Sequence, residues 1–229
     1  VLITTSGLGS RLGELTKYTN KCLVRVGDKP AISYIIENYP HETEFVITLG
    51  HQGEKVKSFL KIAYPEKSFT FVKVDKYHGK GSSLGYSILS AKHELQNPFI
   101  FHACDTIVFE EIPKPDRNWC AGYKKSSSSQ YRTLNVLNNQ VVRINDKGEI
   151  NYDLDYIGLC GIKNHELFWN QLEEFYKRDI LNTSISDCDA INLMLKTDDF
   201  ECIEFKKWVD IGNVDSLSSA RRQLAGSFN

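Results

Sequence analysis

Between residues 1 and 103 the chain alternates short apolar runs with amphipathic stretches, and that rhythm restricts its fold more than any other feature. Val1-Leu2-Ile3, Phe45-Val46-Ile47-Thr48-Leu49, Phe69-Thr70-Phe71-Val72-Lys73-Val74 and Pro98-Phe99-Ile100-Phe101-His102-Ala103 read as strands. The run at 45–49 is almost continuously apolar, as in a strand covered on both faces. Helical periodicities lie between the strands. Ile32, Ile35 and Ile36 follow Pro30, which suits a first helical turn; Val56, Phe59, Leu60 and Ala63 mark about 53–64; Leu84, Ile88, Leu89 and Ala91 mark about 82–95. Strand, helix, strand, helix predicts a parallel sheet.

The alternation stops after Ala103. Residues 117–162 read as several strands joined by polar turns, with Lys124-Lys125-Ser126-Ser127-Ser128-Ser129-Gln130 as a mobile hairpin tip. Helices are expected over about 164–178 and 187–196, then the strand Glu201-Cys202-Ile203-Glu204-Phe205, the run Trp208-Val209-Asp210-Ile211-Gly212 and a closing helix from near Asp215. No internal repeat and no linker rich in Pro, Gly or Ser divides the chain. The expectation is one α/β domain over 1–229: a Rossmann-like mixed, mostly parallel sheet flanked by helices, with an inserted antiparallel region at about 117–200.

A formal net charge of -1, spread without an obvious basic face, argues against a nucleic-acid partner, so any phosphate binding should be local. The six cysteines form no Cys-x-x-Cys pair and no zinc-like cluster with histidine. Several sit in apolar runs, where a reduced thiol packs as a small hydrophobe, and a reducing cytoplasm is the expected compartment. There is no signal peptide and no apolar run of membrane-spanning length, so no membrane partner is expected; the chain begins at Val1, implying an initiator before it.

The first strand runs directly into Thr4-Thr5-Ser6-Gly7-Leu8-Gly9-Ser10-Arg11-Leu12, with Lys21 shortly after. Glycines let backbone N–H groups turn toward an anion, and Arg11 and Lys21 can neutralise its charge. Two standard phosphate motifs do not fit. The Gly79-Lys80-Gly81 stretch lacks the earlier glycine and the Ser/Thr of a Walker loop, and the opening loop has Leu12 where a dinucleotide fingerprint needs its third glycine. At the end of the strand 98–103, Asp105 lies at the carboxyl edge of the sheet, where open α/β folds place ligands. His51, His78 and His102 have no evident partners in the sequence and read as structural or surface residues.

Gly7-Leu8-Gly9-Ser10-Arg11-Leu12, Leu15-Thr16, Asn20-Lys21, Leu23-Val24 and Lys29-Pro30 stand in the order of the opening of the sugar-phosphate nucleotidyltransferase family, which this chain resembles. Further on, Gly81-Ser82-Ser83-Leu84 is similar to the family's base-contacting loop, Asp105 to its metal-binding aspartate, Tyr156-Ile157-Gly158-Leu159 to its Gly-Ile-Tyr strand and Asp210 to its second metal aspartate. The resemblance implies the nucleotide-diphospho-sugar transferase fold. It also implies a Mg²⁺-dependent transfer of an NMP moiety to a small phosphorylated acceptor with loss of pyrophosphate. Three departures stand out. Thr5-Ser6-Gly7 replaces Ala-Gly-Gly, Asn20 replaces a proline, and the Glu-Lys-Pro that grips a hexose phosphate is missing near Asn145-Asp146-Lys147-Gly148-Glu149. With its compactness, the chain therefore looks most like the small cytidylyltransferases that activate phosphocholine or phosphoglutamine for capsule and surface-glycan decoration, with CTP the favoured nucleotide and a homodimer compatible.

Carried over by that resemblance, the nucleotide-binding residues are Thr5, Ser6, Gly7, Leu8, Gly9, Ser10, Arg11, Gly50, Gly81, Ser82 and Ser83. Arg11 and Lys21 are the catalytic pair, for the leaving pyrophosphate and the reacting phosphates. Asp105 and Asp210 hold Mg²⁺, and Lys124, Asp153, Tyr156 and Asp187 are the candidate acceptor-binding residues. Two other enzyme readings remain: a sugar-1-phosphate nucleotidyltransferase making an NDP-sugar, and a glycosyltransferase using Asp187-Cys188-Asp189 or Asp153-Leu154-Asp155 as an Asp-x-Asp metal motif. A module that binds nucleotide without turnover is a third.

Overall fold

The computed structural model describes residues 1–126 and 129–225; Ser127 and Ser128 of the expected hairpin tip lie outside them. The first half comprises β1 (Leu2–Thr4), β2 (Arg25–Val26), β3 (Lys29–Pro30), α1 (Ala31–Glu37), β4 (Glu44–Leu49), α2 (Gly53–Ala63), β5 (Ser68–Lys73), α3 (Leu84–Ser90) and β6 (Phe99–Ala103). The second comprises β7 (Thr106–Val108), β8 (Trp119–Lys124), β9 (Thr133–Leu137), β10 (Gln140–Asn145), β11 (Leu154–Ile162), α4 (His165–Arg178), α5 (Asp187–Met194), β12 (Glu201–Phe205), β13 (Trp208–Asp210) and α6 (Val214–Ala225).

A nine-stranded sheet in the order β5-β4-β1-β6-β11-β8-β12-β10-β9 carries the fold. Side chains alternate across it: Leu2, Val46, Phe101 and Cys160 face the layer of α3, α4 and α5, whereas Ile3, Ile47, Ile100 and Leu159 face α1 and α2. That explains the unbroken apolar runs, since a strand covered on both faces has no side left for polar residues. A third apolar cluster joins α6 to Leu12 of the opening loop and to Ile107, Val209 and Ile211.

The sheet is mixed, and it is not mostly parallel. Beside β5-β4-β1-β6, only β8 and β12 pair in parallel; β11 runs antiparallel to β6, β8 and β9, and β10 antiparallel to β9 and β12. Connection length explains the difference. Each early parallel pair is bridged by a helix, but β9 and β10 are joined through Asn138 and Asn139, both at positive φ, and such a tight turn can only reverse the chain. The expected insertion is therefore a continuation of the main sheet.

Helix α3 is shorter than the expected 82–95. It starts at its N-cap Ser83, whose hydroxyl accepts from the Tyr86 N–H at 3.0 Å, and gives way to a 3₁₀ turn over Lys92–Glu94. Helix α2 matches its expected span, but Ala63, placed on its apolar face from periodicity, is exposed. All six cysteines are free, and no helix among the described residues is long and apolar enough to cross a membrane.

Candidate active site

The loop after β1 is built to leave its backbone donors open. Among the described residues, the N–H groups of Leu8, Gly9 and Ser10 have no hydrogen-bond partner, although they lie in one tight turn. Gly9 makes that turn at φ 66°, where a Cβ would also meet Thr16 Cγ2 at 3.0 Å and Lys21 Cβ at 3.1 Å. The rest of the loop is pinned. Thr5 Oγ1 donates to the Thr48 carbonyl at 2.6 Å, the Ser6 and Ser87 hydroxyls lie 2.7 Å apart, and Thr16 Oγ1 donates to the Gly9 carbonyl at 3.1 Å.

Asn20, where the resembled family has proline, is a three-way brace. Its amide donates to the Thr5 carbonyl at 2.7 Å and the His51 carbonyl at 2.6 Å, and its carbonyl oxygen accepts from the Cys22 N–H at 3.0 Å. His51 in turn donates from Nε2 to the Thr16 carbonyl at 2.7 Å, so it has the partner that its sequence context did not reveal. The phosphate loop is thus fastened to β4 by side-chain bonds rather than by a rigid ring.

A cleft of about 370 Å³ opens over this loop, lined by Gly7, Gly9, Ser10, Arg11 and Lys21 on one side and by Tyr77, Ser82, Ser83 and Leu84 on the other. At its floor, Lys21 Nζ is ion-paired to Asp105. Burial works against both charges, but each partner outweighs it for the other. Lys21 is held above the ordinary lysine range, and Asp105, with help from Arg11, below the carboxylate range.

Asp210 arrives beside Asp105 because β7 and β13 form a two-stranded ribbon with Asp210 opposite Thr106, while the Ile211 N–H donates to the Asp105 carbonyl at 3.1 Å. Burial and then the Asp105 charge push the Asp210 carboxyl above its usual range. Its Oδ1 accepts from the Gly212 N–H at 2.8 Å and its Oδ2 from the Tyr131 hydroxyl at 3.2 Å. Two adjacent carboxylates that hold like charge apart only with difficulty are what a divalent cation would relieve. Among the described residues no cluster of three or more acidic, His or Cys side chains forms a closed metal cage.

His102, buried in β6, keeps this ribbon in place. Its Nε2 donates to the Thr106 carbonyl and its Nδ1 accepts from the Tyr39 hydroxyl, both at 2.8 Å. Burial lowers its pKa to about 4, so it is a neutral clamp.

A second cleft, of about 200 Å³, adjoins the first and shares Arg11, Leu84, Ala103 and Asp105 with it. It exists because β11 changes partners: its register against β8 shifts between Tyr156 and Cys160, at Gly158 with φ 71°, as β11 passes from β9 to β6. A Cβ at Gly158 would meet Ala103 Cβ at 2.9 Å. Tyr131, Arg132, Lys147, Tyr156, Asp187, Trp208 and Asp210 all face this space.

Arg11, Lys21, Asp105 and Asp210 are brought together at the junction of the clefts, and Tyr156 and Asp187 meet in the second one, with the Tyr156 hydroxyl donating to Asp187 Oδ2 at 2.6 Å. Other expected site residues fall elsewhere. Leu8 is 42% exposed and does not line the cleft. Gly50 packs behind the loop, where a Cβ would lie 2.4 Å from the Ser6 carbonyl, and Gly81 spends its N–H on the Leu181 carbonyl at 3.2 Å. Lys124 is exposed at the end of β8, and Asp153 accepts from the Val136 N–H at 2.7 Å; neither lines either cleft.

The Asp-x-Asp letters are also spent on structure. Asp189 closes a capping box with Ser186 at the start of α5, and Asp155 Oδ2 accepts from the Ser126 N–H at 2.9 Å. Sequence reasoning missed Tyr131 and Arg132, which carry no motif; it quoted Trp208 only as the start of the run that holds Asp210 and treated Lys147 only as part of a missing clamp. In the structure Lys147 lines the second cleft, its pKa lowered by burial and by the nearby Arg11 and Arg132.

With this geometry in view, comparison with known proteins is informative. No protein-family model matches the chain. It is 32% identical over 117 residues to choline-phosphate cytidylyltransferase of Streptococcus pneumoniae, a match covering 50% of this chain and 48% of that protein. It is 25% identical over 208 residues, 79% of each chain, to CTP:phosphoglutamine cytidylyltransferase of Campylobacter jejuni. Both relatives are cytidylyltransferases. The resemblance first seen in the opening loop is thus matched by cytidylyltransferase relatives, and the chain spans about half the length of the first of them. The crystal structure of CTP:phosphocholine cytidylyltransferase from S. pneumoniae superimposes with a TM-score of 0.80 at 21% identity, covering 97% of each chain, which shows a shared mixed α/β fold.

Proposed function

We propose that this chain is a nucleotidyltransferase that moves an NMP moiety, CMP from CTP in the first instance, onto a small phosphorylated acceptor and releases pyrophosphate. The observation that carries this reading is the open run of Leu8, Gly9 and Ser10 N–H groups, in the loop that lines one cleft together with Arg11 and the Lys21–Asp105 pair. Open backbone donors with a guanidinium beside them suit the β- and γ-phosphates and the pyrophosphate that departs. Lys21, at the junction, is placed for the α-phosphate and the acceptor phosphate together. The transfer needs little covalent help, only alignment of two anions and neutralisation of their charge.

Asp105 and Asp210 fit a Mg²⁺ ion: they are adjacent hard oxygen donors, and a site with two protein carboxylates leaves the remaining positions for water and phosphate oxygens. When bound, the ion would withdraw charge from the reacting phosphate oxygens. No side-chain base is invoked, because a phosphate nucleophile is already ionised at neutral pH. The cytidylyl relatives support CTP, and a CMP-activated product is what surface-glycan decoration would consume.

The test is a matrix of CTP, UTP, dTTP and GTP against phosphocholine, phosphoglutamine, phosphorylated polyols and sugar 1-phosphates, read by pyrophosphate release with Mg²⁺. Turnover with CTP and a non-sugar acceptor is expected. Turnover confined to a sugar 1-phosphate would replace this reading with an NDP-sugar synthesis, and no pyrophosphate from any pair would refute it.

A further inference from the structure

The charges lining the second cleft balance, three cations against three carboxylates, so their distribution along it decides what it can hold. Arg11, Arg132 and Lys147 all line it, against the acids Asp105, Asp187 and Asp210. Two of those acids face the reacting end: Asp105 is ion-paired to Lys21 and Asp210 sits beside it on the β7–β13 ribbon. That leaves Asp187 as the acid at the far end, and Arg132 stands next to it. The carboxyl of Asp187 is pushed upward by its burial and pulled back by the Tyr156 hydroxyl bond and the Arg132 guanidinium. Both residues are rooted in the fold rather than in a free loop. Arg132 directly precedes β9, and its carbonyl accepts from the Tyr156 N–H at 2.8 Å; Asp187 opens α5 behind the Ser186 cap and is 2% exposed.

Arg132 has one ion-pair partner, Asp146, at 3.0 Å, and that side chain is 89% exposed, so water competes for it. The guanidinium keeps donors for a ligand. The cleft also holds Tyr131, Tyr156 and Trp208, which could suggest a cage for a quaternary ammonium. These rings are already engaged. Tyr131 packs edge-on against Trp208 at 5.0 Å, Tyr123 packs on Trp208 from another direction at 5.3 Å, and the Tyr131 and Tyr156 hydroxyls are committed to Asp210 and Asp187. A trimethylammonium offers Arg132 no acceptor and would place two cations side by side in a space of about 200 Å³.

Resting on the transferase reading above, we propose that the acceptor's phosphate lies toward Lys21 at the junction of the clefts and that its distal head carries both a hydrogen-bond acceptor and a hydrogen-bond donor. That head accepts from Arg132 and donates to Asp187. A carboxamide meets both demands with its oxygen and its NH₂; a vicinal diol meets them with two hydroxyls. Arg132 is then the residue that determines acceptor specificity, because a head lacking the acceptor forgoes its bond to the guanidinium and a cationic head is also repelled by it.

The experiment measures pyrophosphate release from CTP with phosphoglutamine, a polyol phosphate and phosphocholine for the native chain, Arg132→Met and Arg132→Lys. For the native chain, one of the polar-headed acceptors should exceed phosphocholine in kcat/KM by at least ~100-fold. Arg132→Met should erase most of that ratio through KM, with kcat for the best acceptor within a fewfold, and Arg132→Lys should restore part of it. CTP-induced thermal stabilisation should be the same in all three proteins, which shows that the variants fold and keep the nucleotide site. Phosphocholine as the preferred acceptor, or an Arg132→Met loss of equal size on every acceptor, overturns the assignment of Arg132 while leaving the transferase reading intact. Absence of pyrophosphate with every acceptor refutes that reading, and the inference falls with it.

Discussion

Replacing Lys21 by methionine should destabilise the apo protein more than removing both members of its ion pair. Lys21 and Asp105 have side chains 13% and 22% exposed, so the pair is largely but not wholly withdrawn from water. Deleting one partner of a fully buried pair costs about 3–5 kcal/mol, since the other charge is left uncompensated. The residual exposure lowers that to about 2–3 kcal/mol, which in a chain of this size is a fall in Tm of about 5–10 °C. In Lys21→Met, Asp105 faces Asp210 with no cation between them. Lys21→Met/Asp105→Asn removes the stranded charge and should recover about half of the loss or more.

The pH dependence follows from the directions of the shifts. Asp105 is held below its usual range, so its contribution is present above the unfolded carboxylate pKa and lost as pH falls through the folded one. Lys21 is raised, so its share is complete below the unfolded lysine pKa and lost as pH rises through the folded one. The native chain therefore keeps the benefit across neutral pH, and the deficit of Lys21→Met should shrink as the medium is acidified toward the carboxylate range. The assay is thermal melting of native, single and double variants between mildly acidic and mildly alkaline pH, with and without Mg²⁺. Mg²⁺ should raise the Tm of Lys21→Met more than that of the native chain. A single variant that melts with the native chain, or a double variant no more stable than the single, would refute the reasoning.

Asn20→Ala should lower stability by about 2 kcal/mol, since the buried Thr5 carbonyl and the half-buried His51 carbonyl lose their donor, and raise the KM for CTP by roughly tenfold with a smaller change in kcat; Asn20→Pro should do no better, despite matching the family pattern. Gly9→Ala should reduce kcat/KM for CTP by at least ~10-fold, because the left-handed turn costs about 1–2 kcal/mol for alanine and the new Cβ crowds Thr16 and Lys21; an unchanged value would show that the turn does not shape the phosphate site. His102 is neutral in the fold with its pKa lowered to about 4, so the unfolded chain binds the extra proton first and stability should fall by about 3 kcal/mol as pH drops from about 6.5 to about 4. His102→Gln should flatten that part of the stability profile, and a profile identical to the native one would exclude His102 as its source.

The first four parallel strands were legible because each is a one-dimensional signal: an apolar run followed by a helical period. The opening loop, Lys21, Asp105 and Asp210 were legible through the order of motifs they share with the resembled family, and the structure brings Arg11, Lys21, Asp105 and Asp210 to one junction. The expectation of a mostly parallel sheet failed in the second half. There, pairing partners are distant in sequence, and only the tight Asn138-Asn139 turn hints at chain reversal.

Residues that read as ligands by letter were diverted by local needs. Asp153 and Asp189 satisfy backbone donors, and Gly81 exchanges its N–H with the Leu181 carbonyl, because an unpaired backbone group near the interior must find a partner. Arg132 and Tyr131 could not be found from sequence, and Lys147 and Trp208 were seen there without a place in the cleft. They come from separate strands and turns, and they share a cleft only because β11 breaks register at Gly158 and the β7–β13 ribbon brings Trp208 and Asp210 alongside. By itself, the sequence determined the opening loop and the residues grouped with it, where residue type and local backbone geometry suffice. The tertiary structure alone decided the second cleft, whose charge balance depends on which distant side chains are packed together.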